Sequence, residues 1–265
     1  MTGASRGAGR GISLALGEAG ADVYLTGRTS RHSGSPTGRP ETIEETAQLV
    51  DARGGGKGIP VQCDHVDRAQ TSALFDRVRR DHGRLDVLVV NAWGGYEIDV
   101  ESKPYWELDP KHWSLMLNAG LESHLTTVLE GTPLLREGGS GLVVLTTWAI
   151  GKSYHRHLFY DVIKTAINRM AFGIAHDLRP YGVTAIALSP GWMRTESMDL
   201  TPAEADRTES PEFVGRAIAA LASDPGVIRH TGKTMTVIDV AREYGVTDID
   251  GRAITPFWTD RLKTL

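Results

Sequence analysis

The stretch "TGASRGAG" at residues 2–9 decides how the rest of the chain is read. Its glycines, Gly3, Gly7 and Gly9, let backbone N–H groups come close to a bound phosphate without a side chain in the way. A helix-like segment follows at 8–19, and the partial positive charge of its N-terminus faces the same point. Taken alone, the pattern is equally a glycine-rich turn with no ligand. Such loops hang from the end of a strand, yet here only Met1 precedes the loop.

Working outward, short apolar runs alternate with helix-like segments. The runs lie at 21–27, 58–64, 84–91, 141–147, 182–189 and 233–239, and several are apolar almost throughout. Continuous apolar strands suit a parallel sheet covered on both faces. Helices are expected near 8–19, 41–53, 68–82, 103–135, 160–179 and 211–222. Strictly alternating elements imply right-handed crossovers and an α/β, doubly wound parallel sheet of Rossmann type. No linker or repeat divides residues 1–265, so one dinucleotide-binding domain is expected. The stretch 29–40 reads as an exposed loop and 195–210 as a flexible lid.

Bulk properties narrow the function. The 265 residues are 23% charged with net charge −4, so no broad basic surface argues for nucleic acid or an anionic membrane. Cys63 is the only cysteine, which excludes an internal disulfide and suits a reducing, cytoplasmic setting. No apolar run reaches the ~18 residues of a membrane helix, and the N-terminus has no signal-peptide pattern.

The end of the second-strand region refines the glycine loop. In a dinucleotide fold an acid at that position accepts hydrogen bonds from the adenosine ribose and favours NAD. Here the sequence is "YLTGRT": Gly27, then Arg28, with Arg6 available from the loop itself. Two guanidiniums suit a 2′-phosphate, so NADP(H) is the expected cofactor.

The reactive pair is "YDVIK". Tyr160 and Lys164 lie four residues apart and share one helix face. A neighbouring ammonium favours the phenolate, which equips a tyrosine to give or take a proton near neutral pH. Thr147, 13 residues upstream at the end of an apolar run, offers a hydroxyl to the same substrate oxygen.

Together, "TGASRGAG", "VVNAWG", Thr147, "YDVIK" and "SPGWMRT" resemble the short-chain dehydrogenase/reductase family in order and spacing, over essentially the whole chain. The segment 231–252 is similar to one branch of it. The resemblance implies hydride transfer between a nicotinamide and a carbonyl or alcohol. It implies Tyr160 as general acid/base, with Lys164 on the nicotinamide ribose. Ser5 joins the glycine loop around the cofactor. Asp64 would touch the adenine, Asn91 and Ala92 would line the cofactor, and Pro190, Gly191 and Thr195 would hold the nicotinamide end. It also implies a homodimer or homotetramer formed through the helices at 103–135 and 160–179.

Three positions depart from the family pattern. Thr147 stands where serine is usual, Trp93 replaces a glycine in "NAWG", and Gly120 stands where an asparagine usually holds a proton-relay water. Asn118 cannot substitute, because two residues turn a helix by about 200°. On the substrate side, Trp93, Trp148, Tyr154, His155, His157 and Trp192 suggest an aromatic, weakly basic pocket for a flat carbonyl compound. His155 and His157 have no nearby carboxylate, so no metal site is expected.

Two alternatives stay open: a nucleotide-binding protein without turnover, and a cofactor-assisted isomerase or dehydratase. A central first strand is also expected to be missing, which would make the fold N-terminally truncated. The natural start would then lie several residues upstream, and strands 21–27 and 84–91 would expose unpaired edges.

Overall fold

The apolar runs form strands that pair in parallel throughout, as seen in a computed structural model that describes residues 1–255 except 36–37, 96–102, 149–153 and 155–156. In chain order the elements begin with helix α1 (Gly7–Glu18), strand β1 (Val23–Gly27), α2 (Ile43–Arg53), β2 (Gly58–Gln62), α3 (Arg68–His82) and β3 (Val87–Val90). Next come α4 (Pro110–Met116), a π-helical turn (Leu117–Glu122), α5 (Ser123–Glu137), β4 (Gly141–Thr146), α6 (Leu158–Leu178) and β5 (Val183–Ser189). The chain continues with α7 (Pro202–Ala205), α8 (Pro211–Ala222), β6 (Thr234–Thr236) and α9 (Val237–Tyr244).

Successive strand residues point to opposite faces, and both faces are covered. Val89, Leu142, Val144, Ile186 and Leu188 pack with α1, α8 and α9 on one side. Leu88, Val90, Val143, Leu145, Ala185 and Ala187 pack with α3, α5 and α6 on the other. This is the doubly wound α/β arrangement expected from the sequence. Among the described residues, no helix is long and apolar enough to cross a membrane.

Strand pairing falls into two groups, β1–β2 and β3–β4–β5–β6. Residues 1–4 run between them. The Thr2 N–H donates to the Val89 carbonyl (3.0 Å), the Thr26 N–H to the Met1 carbonyl (3.0 Å) and the Ala4 N–H to the Thr26 carbonyl (2.9 Å). The edges of β1 and β3 are therefore bridged at their C-terminal ends only, so the open edges expected are closed in part. Those are the ends that carry ligand sites in open α/β sheets.

Two other expectations need correction. The run at 233–239 is a strand only over Thr234–Thr236. Thr236 then caps α9 in a reciprocal box with Asp239, and Val237, Ile238, Val240 and Ala241 are buried at helical spacing. The helix expected over 103–135 is broken. Tyr105–Glu107 is a 3₁₀ turn, Asp109 caps α4 ahead of Pro110, and the ladder widens to π geometry around Gly120 before α5. The stretch 195–210 contains α7, and its two ends are joined: the Glu209 N–H donates to the Trp192 carbonyl (2.9 Å) and the Arg194 N–H to the Glu209 carbonyl (2.9 Å).

Candidate active site

The glycine loop needs its glycines for physical reasons visible in the structure. Gly3 (φ +67°) and Gly7 (φ +56°) adopt backbone conformations that side chains disfavour. A Cβ on Gly9 would lie 1.8 Å from the Gly3 carbonyl oxygen, and one on Gly3 would lie 2.9 Å from Ala92 Cα. The loop is clamped from β3. Asn91 Nδ2 donates to the carbonyls of Thr2 (3.2 Å) and Gly3 (3.4 Å), and Thr146 Oγ1 donates to Asn91 Oδ1 (3.3 Å). Thr2, a residue sequence reasoning missed, is buried, and its Oγ1 accepts from the N–H groups of Asn91 (2.8 Å) and Ala92 (2.9 Å). The capacity of threonine to accept two backbone donors was the available signal.

An anion already occupies the N-terminus of α1. Glu196 Oε2 accepts from the Gly7 N–H at 2.8 Å, and its other oxygen lies 3.7 Å from Arg10 Nε. A carboxylate stands where the loop would present its donors to a pyrophosphate, so the loop fits an anionic cofactor. Thr195 borders the same ground: its Cγ2 lies 3.6 Å from where a Gly7 Cβ would be. The Ser5 carbonyl accepts from Arg10 Nε (3.1 Å), so Ser5 is held by its backbone.

Arg6, at the N-cap of α1, is half-buried. Burial and the nearby Arg39 and Arg28 guanidiniums push its pKa down, while Glu41 and Glu196 oppose the shift. Arg39, unforeseen from sequence, forks onto Glu41 through Nε (3.2 Å) and Nη2 (2.6 Å). Three guanidiniums, that of Arg6 included, and two carboxylates, Glu41 and Glu196, therefore gather here, leaving a small excess of positive charge. Asp64 follows β2, where its Oδ1 accepts from the Val66 N–H (3.1 Å) in a tight turn.

The reactive residues converge through α6. His157 caps this helix by accepting the Tyr160 N–H on Nδ1 (3.3 Å). The inward stripe of α6 is Tyr160, Ile163, Lys164, Ile167, Ala171, Ala175 and Leu178, a helical spacing that turns both reactive side chains to the sheet. Thr147 Oγ1 donates to the Lys164 carbonyl oxygen at 3.0 Å. In this structure the Thr147 proton is held by the helix carbonyl. Lys164 is buried, and desolvation lowers its pKa to about 7. Its Nζ lies 4.1 Å from the centre of the Trp93 ring and 5.7 Å from that of Tyr160.

Of the expected substrate residues, Trp93 packs edge-on to Tyr160 with ring centres 5.4 Å apart, and Trp148 lies 6.4 Å from Tyr160. Tyr154 is exposed. Trp192 flanks Gly191 and Pro190 after β5. His155 lies outside the described residues. His157 is buried and stacks on His112 at 6.4 Å, so its place is in the helix cap rather than on a solvated loop.

Behind the Pro190–Gly191 turn lies a second unforeseen residue. Glu209 is buried, its Oε1 accepts from the Gly191 N–H (2.8 Å), and burial, with Asp248 nearby, raises its pKa to about 8.

Against known proteins, residues 1–205 match the short chain dehydrogenase family. The chain is 36% identical to mouse dehydrogenase/reductase SDR family member 1 over 98% of its own length and 85% of the relative's. The human protein of the same name is 34% identical, over 97% and 84%. Its fold superposes on a crystal structure of a putative dehydrogenase from Xanthomonas campestris with a TM-score of 0.81, covering 97% of this chain and 95% of that one at 24% identity. With the glycine loop, the parallel sheet and the Tyr160–Lys164 helix face in agreement, the chain belongs to the short-chain dehydrogenase/reductase family.

Proposed function

We propose that the protein is an NADP(H)-dependent carbonyl reductase or alcohol dehydrogenase in which Tyr160 moves the proton. The observation that carries this reading is the shared burial of Tyr160 and Lys164 on one face of α6, with Thr147 bonded to the same helix. Bound NADP(H) supplies or accepts the hydride. In reduction, Tyr160 Oη gives its proton to the carbonyl oxygen; in oxidation it takes the hydroxyl proton. The Lys164 ammonium favours the phenolate, and its lowered pKa lets it lose or regain charge near neutrality. The Thr147 hydroxyl donates to the same substrate oxygen, a bond that requires it to turn from the Lys164 carbonyl.

Gly3, Gly7 and Gly9 give the pyrophosphate room, with Ser5 and Thr195 at its border. Arg6 and Arg28, helped by Arg39, hold the 2′-phosphate. Asp64 lies on the adenine side, Asn91 and Ala92 line the cofactor, and Pro190 and Gly191 support the nicotinamide end. Trp148, Trp192 and Tyr154 are the proposed walls for a flat carbonyl compound. Exposed Leu125 and Leu129 on α5, with Val162 and Phe172 on α6, support a homodimer or homotetramer, and the lone Cys63 suits a cytoplasmic setting. The test is a panel of carbonyl compounds with NADPH and NADH oxidation read separately. Substrate-dependent oxidation of NADPH in preference to NADH is expected; no oxidation of either across the panel would leave the nucleotide-binding protein without turnover.

A further inference from the structure

Two departures from the family pattern meet at one place. The ideal Cβ of Gly120 would lie 2.3 Å from Trp93 Cζ3 and 2.8 Å from its Cε3, so the indole rests on bare backbone. Gly95 gives the same room on another edge: a Cβ there would lie 2.5 Å from Trp93 Cζ2. The π-helical turn over Leu117–Glu122 carries Gly120 into this contact. Between the two glycines the ring has a fixed place, and its face and edge are both used. Lys164 Nζ stands over the face, 4.1 Å from the centre. Tyr160 meets the indole at 85°.

We infer that Trp93 is a positioning residue of the reaction: seated on Gly120, its indole holds the Lys164 ammonium against its face beside the Tyr160 ring, so that residues 93 and 120 work as one coupled pair. The inference rests on reading Tyr160 as the acid and base. An aromatic face stabilises a cation, most of all in a desolvated site. Burial opposes the charge on Lys164, and the indole face partly offsets that penalty. Among the described residues, His124 on α5 is also in electrostatic reach of Lys164, and burial holds it neutral with a pKa of about 3. Within this set the Trp93 face therefore supports the cation beside the phenol. Any side chain at position 120 displaces that face.

The test is an ultraviolet titration of tyrosinate, taken as the difference between each protein and its own Tyr160→Phe partner. It reads the Tyr160 ionisation midpoint whether or not the protein turns over. Loss of the indole in Trp93→Leu weakens the Lys164 charge and should raise the midpoint by about 0.5 to 1.5 pH units. Trp93→Phe, which keeps a smaller face, should raise it by less. Gly120→Ala should raise it in the wild-type background and add nothing in the Trp93→Leu background. Thermal melting of each variant identifies any that is unfolded, and Trp93→Phe, the mildest change, then carries the comparison. An unmoved midpoint in folded Trp93→Leu, or additive shifts from the two positions, would overturn the inference. Loss of the proposed chemistry alone would show differently, as turnover insensitive to Tyr160→Phe.

Discussion

Removing the Glu196 carboxylate should make the protein bind NADPH more tightly. This side chain accepts from the Gly7 N–H at 2.8 Å and lies 3.7 Å from Arg10 Nε. A pyrophosphate needs the same donor, so binding must first break the internal contact. A hydrogen bond to a charged group contributes about 1.5–3 kcal/mol, and a carboxylate at a helix N-terminus roughly 0.3–1 kcal/mol more. The Glu196 side chain keeps 29% of its surface in water, and solvent screening brings the net to or below the lower end of that sum. About 1–2 kcal/mol of competition corresponds to roughly 5–30-fold in Kd. Calorimetric titration with NADPH should therefore show Glu196→Ala binding roughly 5–30-fold more tightly than wild type, with Glu196→Gln between them. Adenosine 2′-monophosphate, which lacks the pyrophosphate, should gain far less. Equal or weaker NADPH binding by Glu196→Ala would refute the competition.

Other outcomes follow from the same geometry. Arg28→Ala or Arg6→Ala should weaken NADPH about 10–100-fold while leaving NADH nearly unchanged, as measured by titration of each nucleotide. Gly11→Ala places a Cβ 2.1 Å from the Pro211 carbonyl carbon, where α1 meets α8. Overpacking of this kind costs about 1–3 kcal/mol, so calorimetry should show Tm lower by about 2–12 °C. Glu209 is protonated in the native state up to about pH 8 but ionises near pH 4.5 when unfolded. The native state then holds the extra proton between those values, so this contribution to stability falls as pH rises through the window. Glu209→Gln keeps an acceptor for the Gly191 N–H and should flatten the decline measured by denaturant titration from pH 5 to 8.

The sheet was legible because each strand, buried on both faces, had to be apolar along its length, as in "LVVL" of β4. The Tyr160–Lys164 pair was legible because four residues return to the same helix face. What escaped notice was set by contacts distant in sequence. Val237 continues an apolar run, yet the capping box of Thr236 and Asp239 turns the chain into a helix. Thr2 is one hydroxyl among many until β3 brings two backbone donors to it. Glu209 reads as a surface acid, and only the fold places it under Gly191. Trp93 and Gly120 each looked like an isolated departure, because 27 positions of sequence separate an indole from the bare backbone that makes room for it. The expected open edges of β1 and β3 were drawn from strand count, which does not register that residues 1–4 hydrogen-bond to the C-terminal parts of both strands.

The most direct test of the account is steady-state turnover of Tyr160→Phe on the best carbonyl substrate found in the NADPH panel. Phenylalanine keeps the ring beside Trp93 and removes only the proton carrier, so nucleotide binding should persist. The account requires kcat/KM to fall by about 10²–10⁴-fold with NADPH affinity unchanged. Turnover equal to wild type in a folded, NADPH-binding Tyr160→Phe protein would contradict it.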